Sequence, residues 1–527
     1  MKTQADIILH NGKIYTVDNA FSIVEAVVIK DGLFLDLGSD MEMLSKYEGE
    51  LIDLQGRSAY PGFIDPHCHF IVYGRSFSQI DLNGCKSMDD LLTRVEKYAK
   101  ENPKGWLLGR GWDQNLWPDK AFPDNKILNE LFPNQPVFLK RIDGHAALAN
   151  RKALEIAGVD ENTIVDGGEV HLINGEMTGL LIDNALYLVD EHVTHSAEDN
   201  KKAIIEGQKR MFQYGITSIG DAWVEFEDFN LFRSMHESGD LLLRIYCMLL
   251  PKEDNKNYFT SKGIVQTDKL YAGAFKYFID GALGSRGAAL LEDYEDDPGN
   301  DGLLMDSVDY FKNEAEWNLK NGFQMNCHAI GDRANRIILQ IYSEVLKEGN
   351  DDRWRVEHAQ IVHPDDLDVF EKYNVIPSIQ TTHATSDMYW VNERIGDRVK
   401  NAYSYKTLLG KAGIVANGSD FPIEKANPLL GFNAAVTRKD VKGFPENGFR
   451  PEERLNREEA LKAMTIWSAY AQFEEDKKGS IEKGKFADLV VTDSDIMTCD
   501  EMDIYKTKVT LTILAGEKVF IDGQLSL

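Results

Sequence analysis

The segment AYPGFIDPHCH at residues 59–69 decides how the rest of the chain is read. A short apolar run bounded by prolines and a glycine predicts a buried strand, and the strand ends in two histidines. Side chains alternate along a strand, so His67 and His69 share one face while Cys68 takes the other, which suits two imidazoles on one cation. An H-x-H pair alone is weak, because partly buried histidines also serve packing. Its weight depends on whether other segments bring matching residues to the same place.

They do so from about residue 200 onward. Short apolar runs alternate there with helix-period stretches, the pattern of repeated βα units and a parallel sheet. The predicted strands are ITSIGDAW, LLLRIYCMLL, AGAFKYFIDG, FQMNCHAIGD, RWRVEHAQ, VIPSIQTTH and GIVANGSDFP. With the first strand they make eight, the count of a (β/α)8 TIM barrel. Between the first and second strands lie residues 70–196, far more than a βα connection needs, so an inserted subdomain is expected, with a hairpin through GGEVHLINGEMTGLL. The chain ends alternate apolar segments with turns, as in EAVVIKDGLFLDLG and VTLTILAGEKVFIDGQ. They are expected to pair into a small β-sandwich of residues 1–60 and 474–527 that encloses the barrel of residues 61–473.

Active sites of such barrels form at the C-terminal ends of the strands, where distant residues converge. Those ends carry His67, His69, Lys276, His328, His358 and Asp420. Asp420, in NGSDFP, is read as a metal ligand that also takes the proton of an attacking water and passes it to the leaving nitrogen; a turn cap is its bland alternative. A protonated Lys276 would repel a cation, so it serves only as a carbamate formed with CO2; otherwise it pairs with an acid such as Asp280. Cys68 and Cys327 fall on the opposite face from the histidines and are read as packing residues, with a thiolate nucleophile as the lesser reading. Asp332 is read as the cap of a helix beginning at Arg333, with a metal-site role as its alternative.

Substrate contacts are assigned to His145 and His383, each alternatively a satisfied loop residue, and to Arg286, which holds a substrate carboxylate or pairs with surface acids. His10, His171, His192, His195, His236 and His363 have no convergent context. Trp106, Trp112 and Trp117 in the insertion are expected to cover the barrel mouth and shape an aromatic or apolar pocket.

Composition narrows the function classes. The 527 residues are 43% hydrophobic, enough for one large core and a smaller one. With 86 acidic against 58 basic side chains the net charge is −28, which disfavours nucleic acid and anionic membrane surfaces. The five scattered cysteines form no C-x-x-C pair, and neither a secretory start nor a membrane-length apolar run is visible, so a soluble cytoplasmic protein is expected. Phosphate-loop, nucleophile-elbow and H-E-x-x-H signatures are absent. A homodimer is expected from base rates alone.

The segments PGFIDPHCH, FKYFIDGALGSRGAAL, NCHAIGDRAN, RWRVEHAQ, SIQTTHATSD, NGSDFPIEKANPLLGFNAAVTR and KGSIEKGKFADLVV together resemble the amidohydrolase superfamily, in particular its amidohydrolase-3 branch of YtcJ-like proteins and N-substituted formamide deformylases. The resemblance spans nearly the whole chain. It implies the same barrel and sandwich, a zinc-type centre of one or two ions, with other divalent metals open, and Lys276 as its carboxylated bridge. It also implies a small amide-like substrate whose non-peptide carbon–nitrogen bond, in an amide, formamide or cyclic amide, is cut by a metal-activated hydroxide. Deaminases of the superfamily carry an H-x-x-E-like pattern where this chain has His328-Ala-Ile-Gly-Asp332, which argues against deamination. Hydrolysis of esters, lactones or phosphoesters by the same centre is the nearest alternative, and a non-catalytic binding barrel the most distant.

Overall fold

In a computed structural model, residues 2–522 are described; residues 523–527, which end the C-terminal segment of the expected sandwich, lie outside the described part. Eight parallel strands form a nearly closed barrel: β1 (Phe63–Cys68), β2 (Ile216–Val224), β3 (Arg244–Leu249), β4 (Leu270–Phe278), β5 (Gln324–Ala329), β6 (Arg355–His358), β7 (Ile376–Ile379) and β8 (Ala416–Asn417), hydrogen-bonded in that order. The seam between β8 and β1 is closed by the turn that follows β8. Asp420 donates its N–H to the His67 carbonyl at 2.8 Å, His69 donates to the Phe421 carbonyl at 2.8 Å, and the Ser419 hydroxyl donates to Asp65 at 2.6 Å. All eight predicted strands are present.

Helices follow the strands with the predicted caps. Ser196 caps Ala197–Gln213 in a reciprocal capping box with Asp199, and Ser307 caps Val308–Asn321. One expectation is corrected: the helix after β5 begins at Asp332 itself, with Gly331 at the cap. The Asp332 carboxylate accepts the N–H of Arg333 at 3.0 Å and also that of Leu291 at 2.8 Å, which ties the loop after β4 to this helix.

The opening segment divides in two. Ser58–Pro61 pairs with Leu489–Thr492 in a six-stranded sheet that also contains Lys13–Tyr15 and Val509–Leu514, so both chain ends share one sheet. Gly62 makes the crossing into the barrel, and a Cβ there would lie 2.3 Å from the Thr217 hydroxyl. A four-stranded sheet from the N-terminal segment lies against the six-stranded one across a core of residues such as Leu9, Val27, Leu489 and Ile513.

Residues 70–196 carry their own six-stranded sheet, including Leu107–Trp112, Val137–Arg141, Ala146–Ala149 and the predicted hairpin Gly168–Ile173 with Glu176–Asp183. The hairpin turns at Asn174 and Gly175, both with positive φ (54° and 80°), the conformation that an Asn-Gly pair supplies at least cost. Trp112 and Trp117 are buried in the core of this subdomain, their indole N–H groups bound to the carbonyls of Leu139 (2.7 Å) and Cys85 (3.0 Å). Trp106 packs against a second cluster of the same subdomain. The expectation that these tryptophans line the substrate pocket is therefore corrected: an independent sheet needs a core of its own, and large rings fill it. No helix among the described residues is long and apolar enough to cross a membrane.

Candidate metal centre

His67, His69, His328, His358, His383, Lys276 and Asp420 meet at the C-terminal ends of the barrel strands. Ring centroids of His67 and His358 are 5.0 Å apart, those of His328 and His358 4.6 Å, and those of His358 and His383 5.8 Å. The Asp420 carboxylate stands 3.1 Å from His69 Nε2, 3.4 Å from His67 Nε2 and 3.7 Å from His383 Nε2. Two triads, His67–His69–Asp420 and His358–His383–Asp420, have ligand atoms close enough to share one ion. His358 and Asp420 both sit at positive φ (72° and 61°), a conformation that costs free energy in non-glycine residues and concentrates at functional sites.

His67 and His358 are each aimed by a neighbour. His67 Nδ1 contacts the Glu357 carboxylate, and Arg355 Nη2 donates to Glu357 Oε2 (3.0 Å), the Ser378 hydroxyl (2.8 Å) and the Pro66 carbonyl (3.0 Å), all in the barrel interior. His358 Nδ1 lies 2.7 Å from the Gln380 side-chain oxygen. With Nδ1 occupied, Nε2 of His67 is left buried and without a partner, as is Asp420 Oδ1. Such outer contacts fix tautomer and ring orientation at metal sites. Neither Glu357 nor Arg355 was singled out by the sequence reading.

The electrostatics favour ligand forms. Burial pushes the His69 imidazole down to about 4 and those of His328 and His358 well below the usual range, keeping their nitrogen lone pairs available. Burial alone would raise the carboxyl groups of Asp420 and Glu357, yet both are held below the ordinary carboxylate range, Asp420 by His67 and His69 and Glu357 by Arg355 and His67. Asp65, desolvated beside the seam, rises to about 6.

Lys276 is 0% exposed, and its Nζ has no hydrogen-bond partner. It lies 4.2 Å from the centroid of the Phe278 ring, and burial lowers its pKa to about 8. The alternative pairing with Asp280 does not occur: that carboxylate accepts the N–H groups of Ala289 (2.9 Å), Ile330 (3.0 Å) and Gly331 (2.8 Å) and lies 3.4 Å from His328 Nε2. Beside Lys276 in the β4–β5 register is Asn326, both of whose side-chain polar atoms are also buried without partners.

A cavity of about 1110 Å3 opens onto the centre, with His69, Lys276 and His145 in its wall. His145, from the insertion, has its ring 5.2 Å from His328, and its Nδ1 lies 2.7 Å from Asp183. Burial opposes protonation of His145, but Asp183 more than offsets this and raises its pKa. The aromatic wall is Tyr187, Trp223 and Phe278, with ring centroids 5.7 Å and 5.4 Å apart in turn. His195, set aside in the sequence reading, lines this cavity too. Arg286 does not: its guanidinium pairs with Asp296 at 3.0 Å in an outer loop, so its assignment to the substrate is corrected in favour of the acid pair. Cys68 and Cys327 are buried thiols whose pKa values are pushed well up by desolvation, consistent with packing.

Residues 50–520 match the Amidohydro_3 family, described as the amidohydrolase family. The chain belongs to this family. The putative amidohydrolase YtcJ of Bacillus subtilis (strain 168) is 33% identical over 97% of this chain and 99% of its own length. N-substituted formamide deformylase of Arthrobacter pascens is 26% identical over 98% of each. A crystal structure of an uncharacterized metal-dependent hydrolase from Pyrococcus horikoshii OT3 superposes with a TM-score of 0.77 at 29% identity, covering 94% of this chain and 99% of that one. The amidohydrolase chain is thus a metal-dependent hydrolase built on a (β/α)8 barrel.

Proposed function

We propose that this amidohydrolase cleaves a non-peptide carbon–nitrogen bond in an amide, formamide or cyclic amide, using a divalent-metal centre held by His67, His69, His328, His358, Asp420 and a carboxylated Lys276. The observation that carries the reading is Lys276, a buried amine without a partner near the His328 and His358 imidazoles, both held well below their usual pKa. A lysine so placed gains little from its charge, and with its pKa near 8 the neutral amine is available to react with CO2, releasing a proton and leaving an anionic carbamate. The unpartnered Nε2 of His67 and Oδ1 of Asp420 complete a nitrogen and oxygen donor set that fits zinc. A bound ion of this kind lowers the pKa of water to about 7 and polarises a carbonyl oxygen.

The chain's own groups supply the rest. Asp420, held ionised by His67 and His69, takes the proton of the attacking water on its carboxylate and passes it to the departing nitrogen. His145, fixed by Asp183, and His383, 3.7 Å from Asp420, flank the reacting carbonyl as donors. The name of the Arthrobacter relative supports a carbon–nitrogen bond as the target. Asp332, turned to the Leu291 amide, offers the centre no carboxylate, which weighs against deamination.

Metal content per chain, measured with and without bicarbonate in wild type and Lys276→Ala, tests the centre, and rates on matched N-substituted formamides and formate esters test the bond. Metal lost with Lys276 and faster cleavage of the formamide are expected. Metal content indifferent to Lys276, or a preference for the ester, would overturn the respective half of the proposal.

A further inference from the structure

Among the buried arginines of the insertion, two differ sharply in what holds them. Arg141 is saturated: its guanidinium meets Asp113 and Asp143 at 2.5 Å each and the Gln114 side chain at 2.8 Å. Arg110, on the neighbouring strand Leu107–Trp112 and only 8% exposed, makes no ion pair among the described residues. Its single hydrogen bond runs from Nη2 to the Ile142 carbonyl at 2.9 Å, and its Nε is buried without a partner. Arg438 shows the other way to bury a guanidinium: it rests on the rings of Tyr405 and Phe449, at 4.9 and 5.8 Å, and lines no part of the cavity. Arg110 lines the cavity together with His69, Lys276 and His145.

We propose that Arg110 is the anchor for a carboxylate on the substrate, so that the compound hydrolysed is an amide-bearing acid. The proposal rests on the reading that this cavity receives the substrate. A guanidinium has five N–H donors in a planar fork, and leaving the Nε donor of Arg110 buried without a partner is costly unless a ligand completes it. A planar carboxylate matches the fork and cancels its charge. Several other charges in the wall are paired, Asp183 with His145, Asp190 with Lys140 at 2.7 Å and Glu225 with Lys252 at 2.8 Å, while the Arg75 guanidinium bonds the Asn200 side chain at 2.9 Å. Burial works against the charge of Arg110, and of the carboxylates that counter this Asp420 acts most strongly, which places the anchor within electrostatic reach of the centre. The backbone is set for the purpose: Arg110 is in register with Lys140 on one side and Asp81 on the other, and its carbonyl accepts the Leu82 N–H at 2.8 Å.

The test uses metal-loaded Asp420→Asn protein, so that binding is read without turnover, and calorimetric titration with N-formyl amino acids against the corresponding N-formyl amines, which lack only the carboxylate. The acid of each pair should bind at least about tenfold more tightly than the amine, and adding Arg110→Gln should erase that preference. Equal affinity for acid and amine, or a preference that survives Arg110→Gln, would overturn the proposal. The first of these outcomes needs no Arg110 variant and stands even if that variant folds poorly. Because binding does not depend on which bond is cut, a preference for acids in a protein that cleaves esters instead would sink the carbon–nitrogen reading and leave the anchor standing.

Discussion

Lys478 and Lys276 are both buried lysines of the same barrel, 2% and 0% exposed, set near opposite ends of its strands. Lys478 contacts Glu474 at 2.5 Å and donates to the Ser218 hydroxyl near the start of β2. Close by, Arg244 at the start of β3 grips Asp488 with bonds of 2.7 and 3.0 Å. At that end, where the terminal β-sandwich docks, these buried charges are paired. At the C-terminal end Lys276 Nζ, His67 Nε2, Asp420 Oδ1, His383 Nε2 and Arg110 Nε are buried with no hydrogen-bond partner. A buried polar group left open costs of the order of 1–3 kcal/mol, a burden that Lys276 carries and that Lys478 avoids. The difference separates the end that holds the molecule together from the end at which we propose that an ion and a substrate bind.

The largest expected effect breaks the catalytic side of this contrast. Asp420→Asn should lower turnover by about 10³-fold or more while near- and far-ultraviolet circular dichroism stays that of the wild type. Activity within tenfold of wild type would remove Asp420 from proton transfer.

The two lysines provide the sharpest comparison. In metal-stripped protein, Lys478→Met should cost about 3–5 kcal/mol in urea unfolding, because it strands Glu474 in the interior, whereas Lys276→Met should be neutral within about 1 kcal/mol or stabilising, because it removes a desolvated amine that no hydrogen bond holds. Equal losses in both variants would erase the distinction between the two ends. Glu357→Gln should weaken metal binding by about 10- to 100-fold in a chelator competition by loosening His67. Unchanged affinity would show that Glu357 serves only Arg355.

The smallest effect concerns acid stability. His236, on the barrel's outer layer and bound through Nε2 to the Leu243 carbonyl at 3.0 Å, has its pKa lowered by burial to about 4. With a folded pKa below the unfolded value of about 6.5, the unfolded chain takes up a proton that the native one refuses, so stability falls as pH drops from about 6.5 toward 4. His236→Gln should flatten that limb of a pH series of unfolding midpoints. A limb as steep as in wild type would assign the acid loss to other buried groups, among them His69 and His195, whose pKa values also lie near 4.

The residues at the strand ends were legible because each sits at the close of an apolar run, and a parallel barrel brings those ends together whatever lies between. Arg286 misled because a glycine-rich loop after β4 says nothing of where its guanidinium turns, and Asp296 lies close enough to take it. The tryptophans misled because aromatic content marks buried area as readily as a pocket. Glu357 and Arg355 were passed over because a charged pair two residues apart gives no local sign that it is interior.

By itself the sequence determined the residue types at the barrel mouth, the barrel and the terminal sheets, since hydrophobic period and turn chemistry are local properties. Only the tertiary structure decided which buried charges have partners. Arg110 and Arg141 lie in strands of the same kind, and Lys276 and Lys478 are the same residue. Whether such a group is saturated or open depends on side chains folded beside it from elsewhere in the chain, Asp113 and Asp143 for Arg141 and the empty reach of the cavity for Arg110.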